Sequence, residues 1–191
     1  MASILIISFV EWAGAFQRPQ HQAVELARRG RRVTYASPGF LHRKGCRFAS
    51  GLELPATLEV IEPPQLPGAS RIRLLATFNQ VWMQRNLARR SQGPWDAIIF
   101  NDPRLAPVAA ALPARARIFD CMDDLSGASP SAAWAERMEA CALETADRVW
   151  TGTAMLADRL TGRHAQVRFI PGGVDAGHFA HPDAGTVERI R

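Results

Sequence analysis

Short apolar runs rich in β-branched residues alternate along this chain with amphipathic stretches, and that alternation most narrows what it can fold into. Ser3–Phe9 (SILIISF) is apolar without a polar alternation, as a strand covered on both faces of a parallel sheet must be. Arg32–Ser37, Thr57–Ile61, Asp96–Asn101, Ala116–Cys121, Arg148–Thr151 and Gln166–Ile170 repeat the theme. Between the first two lies a helix that starts near Pro19, where a missing N–H costs nothing, turns Ala23, Leu26 and Ala27 inward, and ends at Gly30. Further helices are expected over Arg71–Arg90, Arg104–Leu112, Ser131–Thr145 and Ala154–Leu160. In two of them, Leu75, Phe78 and Trp82, and Trp134, Met138 and Cys141, are expected to face the core. Pro38–Pro55 reads as a long connection or short hairpin, and Glu62–Gly68 as a proline-rich loop. The expected fold class is α/β, a Rossmann-like, doubly wound, mostly parallel sheet of about seven strands.

The 191 residues suffice for one domain with a sizeable core. No apolar run reaches the roughly 18 to 20 residues of a spanning helix. The N-terminal run has neither a basic flank nor a cleavage site, so a cytoplasmic protein is expected, with a peripheral place at the inner face of a membrane open to it. Three widely spaced cysteines give neither a disulfide framework nor a metal pattern. The net charge of +5 concentrates in Arg28-Arg29-Gly30-Arg31-Arg32, Arg43-Lys44 with Arg47, and Arg85 with Arg89-Arg90. These clusters read as a solvated surface, or as attraction to an anionic membrane surface or acceptor. Nucleic acid is not expected, since no aromatics interleave with the basic residues as a stacking platform needs.

Doubly wound sheets bind ligands outside the carboxyl ends of their strands, which singles out four loops. The loop 10–21 holds Gly14, Phe16, Arg18 and His21 at a helix start, where unpaired N–H groups and Arg18 could hold a phosphate or carboxylate; His21 could equally be a surface or capping residue. It lacks the Gly-x-Gly-x-x-Gly spacing of a flavin or nicotinamide site. Asn101-Asp102-Pro103 is explained by helix capping alone. Asp120, Asp123 and Asp124 crowd three carboxylates into five residues, which suits a general base or a hydroxyl-orienting acceptor; alternatively Asp120 makes a structural hydrogen bond and Asp124 caps the next turn. Gly172 and Gly173, with Asp175 two residues on, follow the last strand and suggest a tight turn in a conformation that only glycine takes easily. Metal ligation is not expected, as no histidine completes a site with the aspartates.

Four segments taken together, Phe16-Gln17-Arg18-Pro19-Gln20-His21, Asp120-Cys121-Met122-Asp123-Asp124-Leu125, Glu144 to Thr151, and Pro171-Gly172-Gly173-Val174-Asp175 with Phe179, resemble the N-terminal, acceptor-side domain of bacterial GT-B glycosyltransferases of the family 4 kind. The resemblance spans essentially the whole chain. It implies a retaining transfer of a sugar from a nucleotide-sugar, a co-substrate rather than a cofactor, to a glycan or lipid-linked hydroxyl. Gly14, Phe16, Arg18 and His21 would face the acceptor and diphosphate. Asp123 or Asp124 would orient the acceptor hydroxyl where relatives often carry a histidine, and Gly172, Gly173 and Asp175 would form the interdomain turn. Residues 1–175 would be the acceptor domain and 176–191 the start of a linker, with the donor-binding domain absent, so that the chain would be a truncated, excised or split portion, inactive without that partner. Glu136 and Glu144 have the Glu-x7-Glu spacing of the donor domain but fall before a strand of the first domain, and read as accidental. The contrasting reading is a non-catalytic Rossmann-like module that binds an anionic ligand through Arg18.

Overall fold

The computed structural model describes residues 1–40, 54–68, 72–91, 93–124 and 132–173. The main sheet contains β1 (Ser3–Ile7), β2 (Arg32–Ala36), β4 (Leu58–Ile61), β6 (Ala97–Phe100), β7 (Arg117–Cys121), β8 (Arg148–Thr151) and β9 (Val167–Phe169). Its strands run in the order β4-β2-β1-β6-β7-β8-β9 and every neighbouring pair is parallel. The expected seven-stranded, doubly wound α/β sheet is therefore what forms. The chain winds outward from β1 on one side and from β6 on the other, so the strand order reverses between β1 and β6. At such a reversal the flanking loops part and leave a crevice at the carboxyl ends.

Side chains alternate across the pleat and divide the core in two. Leu5, Ile7, Phe100, Phe119 and Val149 point to the face covered by α2 (Arg73–Arg90), α3 (Ala106–Ala111), α4 (Ala132–Thr145) and α5 (Ala154–Thr161). Ile6, Val33, Tyr35, Ile99 and Ile118 point to the other face, against Ala23, Val24 and Ala27 of α1 (Arg18–Arg28). Small residues on α1 let the helix lie close to the sheet. Gly30, at φ +76°, then ends it, its N–H reaching the Ala27 carbonyl while Arg31 N–H reaches that of Leu26. At the amino edge the Asp96 carboxylate accepts from Ser3 N (2.8 Å), which is the main reason its pKa is lowered, and Asp147 accepts from Arg117 N (2.7 Å).

Three expectations need correction. Gly39–Phe40 (β3) pairs with Pro64–Gln65 (β5) in parallel, so the proline-rich loop expected over Glu62–Gly68 contains a strand of a small second sheet, while most of the connection or hairpin expected over Pro38–Pro55 lies outside the described residues. A side chain at Gly39 would meet the Glu62 carbonyl at 2.7 Å, so that pairing needs glycine. On α2 the inward stripe is Asn79, Met83 and Leu87, whereas Phe78 and Trp82 are 51% and 38% exposed. The expected face is off by about 100°, less than a third of a turn. On α4 the buried residues are Ala135, Ala142 and Leu143; Cys141 packs against the core as expected, but Trp134 is exposed and Met138 only half-buried. In both helices the smaller or more flexible residues pack closest, and the tryptophan is left outside.

Candidate functional site

At the switch point, buried Ser8 follows β1 and Asn101 follows β6, and Asn101 Nδ2 donates to Ser8 Oγ at 2.9 Å. The same oxygen accepts from Val10 N (2.9 Å), which turns the chain out of the sheet. Asn101 Nδ2 also lies 3.8 Å from Met122 Sδ, in the loop after β7. Beside them Asp102 caps the turn Pro103–Leu105 by accepting from Arg104 N (2.8 Å) and holds the Arg104 guanidinium through both oxygens. That guanidinium sits 4.5 Å above the Phe9 ring.

Asp120 is the centre of the arrangement. It is fully buried in β7, and its Oδ2 accepts from Arg18 Nε (2.8 Å) and Gln22 Nε2 (2.7 Å) while Oδ1 accepts from Arg18 Nη2 (2.9 Å). Arg18 Nη1 goes on to the Ile170 carbonyl at the end of β9 (2.9 Å). A carboxylate without water must be met by charge and several donors, and the fork of arginine supplies both. One side chain thus ties the loop after β1 to the exits of β7 and β9. Together with the Ser8–Asn101–Met122 contacts, it brings to one edge all four loops that the sequence singled out.

The first loop is held from within by Gln20, also fully buried. Its Nε2 donates to the carbonyls of Glu11 (3.1 Å) and Ala15 (3.2 Å), and its Oε1 accepts from Gln17 N (2.9 Å) at the start of α1. Trp12 packs edge-on against Tyr35 (4.9 Å) and Phe16 (5.6 Å), and Phe16 against His21 (4.7 Å). Tyr35 is buried and donates to the Val10 carbonyl (2.7 Å); burial pushes its phenol pKa well up. Trp12 and Phe16 are therefore partly buried against the core cluster that includes Ala23 and Val24 of α1, because these rings find Tyr35 and one another.

The predicted site residues divide by their surroundings. Arg18 is engaged by Asp120 and Ile170, so an incoming anion would meet a guanidinium already neutralised. His21 is exposed on α1, and Gly14 lies in a turn whose N–H reaches the Glu11 carbonyl (3.0 Å). Asp123 is exposed at the carboxyl edge. Asp124 lies 3.8 Å from Arg159, whose guanidinium also grips Glu139 (2.6 and 2.9 Å), and Glu139 in turn meets Arg163. Gly172 and Gly173 are exposed, but neither takes a positive φ and a Cβ on either would meet nothing, so no glycine-only turn exists there. Asp175 lies outside the described residues. Cys121 is no nucleophile: burial, with Glu139, Asp120 and Asp124 adding to it against Arg159, pushes its thiol up to about 12.

Sequence reasoning did not single out Gln20, Gln22 or Ser8. A signal existed for one of them: an aspartate within the apolar run ARIFDC needs a buried partner, and Gln22 follows Arg18 by one turn of the same helix. Among the described residues no group of three or more His, Cys, Asp or Glu could hold a metal ion. No helix among them is long and apolar enough to cross a membrane.

No family model and no curated protein matches the sequence. Solved structures do match. Sucrose-phosphate synthase from Thermosynechococcus elongatus superposes with a TM-score of 0.67 at 14% identity over 95% of this chain and 53% of its own. A shorter chain of that enzyme matches at TM-score 0.62 and 15% identity over 98% of both chains. Phytolacca americana UGT2 complexed with UDP-2fluoro-glucose and pterostilbene matches at TM-score 0.60 and 12% identity, over 91% of this chain and 54% of its own. This chain thus spans about half the length of the longer structures it matches. What such likeness shows is the fold: a Rossmann-like α/β domain of the kind that makes up one half of a GT-B glycosyltransferase.

Proposed function

We propose that this domain is the acceptor-side wall of a GT-B glycosyltransferase of the bacterial family 4 kind, and that it works against a second, donor-binding domain. The transfer is a retaining one, from a nucleotide-sugar to a glycan or lipid-linked hydroxyl. The observation that carries this is the convergence of the four strand-end loops on one edge of a domain whose fold matches half of two different glycosyltransferases. Asp123, exposed at that edge, accepts a hydrogen bond from the acceptor hydroxyl and aligns its oxygen on the sugar carbon. Asp124 steadies it from beside Arg159. Arg18 and Asp120 position the loop that carries Gly14 and Phe16 and the first turn of α1 that carries His21. Stabilising the departing diphosphate takes donors from both walls of a closed cleft, so this wall alone transfers little or nothing. The neutralised Arg18 speaks against the simpler anion-binding module.

Two measurements test this. Calorimetric titration of the chain with UDP, GDP and UDP-glucose should give no saturable binding; micromolar binding would overturn the assignment of the donor to the other wall. With a donor-binding domain supplied, Asp123→Asn should lower kcat about 100-fold with the fold intact by circular dichroism. Unchanged transfer would remove Asp123 from the site.

A further inference from the structure

A surface helix needs one apolar stripe, and α2 has two. Asn79, Met83 and Leu87 face the domain. On the opposite side Leu74, Phe78, Val81 and Trp82 are exposed, at 79%, 51%, 37% and 38%, and Phe78 and Trp82 lie parallel, 6.3 Å apart. At 100° per residue these four share an arc of about 100° with Arg85 and Arg89. Exposed Leu66 adjoins the same end of the helix, because its N–H and carbonyl both bond to the Asn79 side chain (2.9 and 3.0 Å). The helix, RLLATFNQVWMQRNLARR, has four arginines and no carboxylate. Of these, Arg90 is drawn back to Glu59, while Arg85 and Arg89 are exposed.

We infer that this ridge docks the protein on the surface of an anionic lipid bilayer. Leu74, Phe78, Val81 and Trp82 enter the boundary between headgroups and acyl chains, the depth that aromatic side chains favour, while Arg85 and Arg89 meet lipid phosphates. The charge selects this occupant. A helix without one acidic residue next to an uncovered apolar ridge repels a second copy of itself, and complements a surface that is apolar below and negative above. In a parallel α/β unit the helices run against the strands, so the apolar half of α2 lies toward the carboxyl edge and the arginines toward the amino edge. The inference does not depend on the chemistry proposed above.

Flotation of the full chain with vesicles decides it. Binding is expected to vesicles of 70% phosphatidylcholine and 30% phosphatidylglycerol, and to be at least about tenfold weaker to phosphatidylcholine alone. Arg85→Glu with Arg89→Glu should lower binding to the anionic vesicles by about tenfold or more. Phe78→Ser with Trp82→Ser should abolish it, both pairs keeping the wild-type melting curve since the residues are exposed. Absence of binding by the wild-type chain would overturn the proposal, as would binding that both pairs leave unchanged. Sedimentation showing a dimer that Phe78→Ser/Trp82→Ser dissociates, without vesicle binding, would assign the ridge to a second copy instead.

Discussion

Trp12 with Phe16 and Phe78 with Trp82 are two aromatic pairs at the same four-residue spacing, and they meet opposite fates. The first pair is drawn inward: Tyr35 lies beneath Trp12, His21 covers Phe16, and the loop that carries them is fixed by Gln20 and by the Arg18–Asp120 pair. The second pair stacks on itself at the surface, because α2 already fills its share of the core with Met83 and Leu87. Spacing states that two rings are neighbours. What else is within reach decides whether they are buried.

This contrast breaks most readily at its deepest point. Asp120→Ala should destabilise the protein by about 3 kcal/mol or more, because Arg18 and Gln22 lose their acceptor in a nearly dry setting. Urea unfolding measures it, and a loss below about 1 kcal/mol would mean that the clamp is not what holds the first loop. Next comes the inward pair itself: Trp12→Ala should cost about 2 to 3 kcal/mol, against at most about 0.5 kcal/mol for Trp82→Ala. Equal costs would erase the distinction between the two pairs.

Alkaline pH sharpens the comparison further. The folded state holds the Tyr35 phenol protonated well past its ordinary value of 10.0, so the unfolded chain gives up that proton first. Stability is then fully present below pH 10 and is lost as pH rises above it, with a slope approaching about 1.4 kcal/mol per pH unit. Tyr35→Phe should flatten that slope while costing about 1 kcal/mol at neutral pH for the bond to Val10. The smallest effect belongs to Phe78→Ala, whose unfolding midpoint should barely move.

Much of the architecture was legible from residue order. The seven strands and the helix stop at Gly30 rest on local chemistry: β-branched runs and a left-handed glycine. The edge on which the four loops gather was legible too, since it follows from parallel winding. Less legible was which face of each helix turns inward. Phe78 and Trp82 fit an inward stripe by period as well as Asn79, Met83 and Leu87 do, and only packing against the neighbouring elements separates the two. The pairing of Asp120 with Arg18 joins residues 102 positions apart, beyond any local pattern.

By itself, then, the sequence determined a parallel α/β sheet and the four loops at its carboxyl edge, because hydrophobic period and turn residues act over a few positions. The tertiary structure decided which polar side chains became scaffold and which aromatics remained outside. A buried carboxylate must find its donors wherever the fold brings them, and a ring is covered only if the core still has room for it.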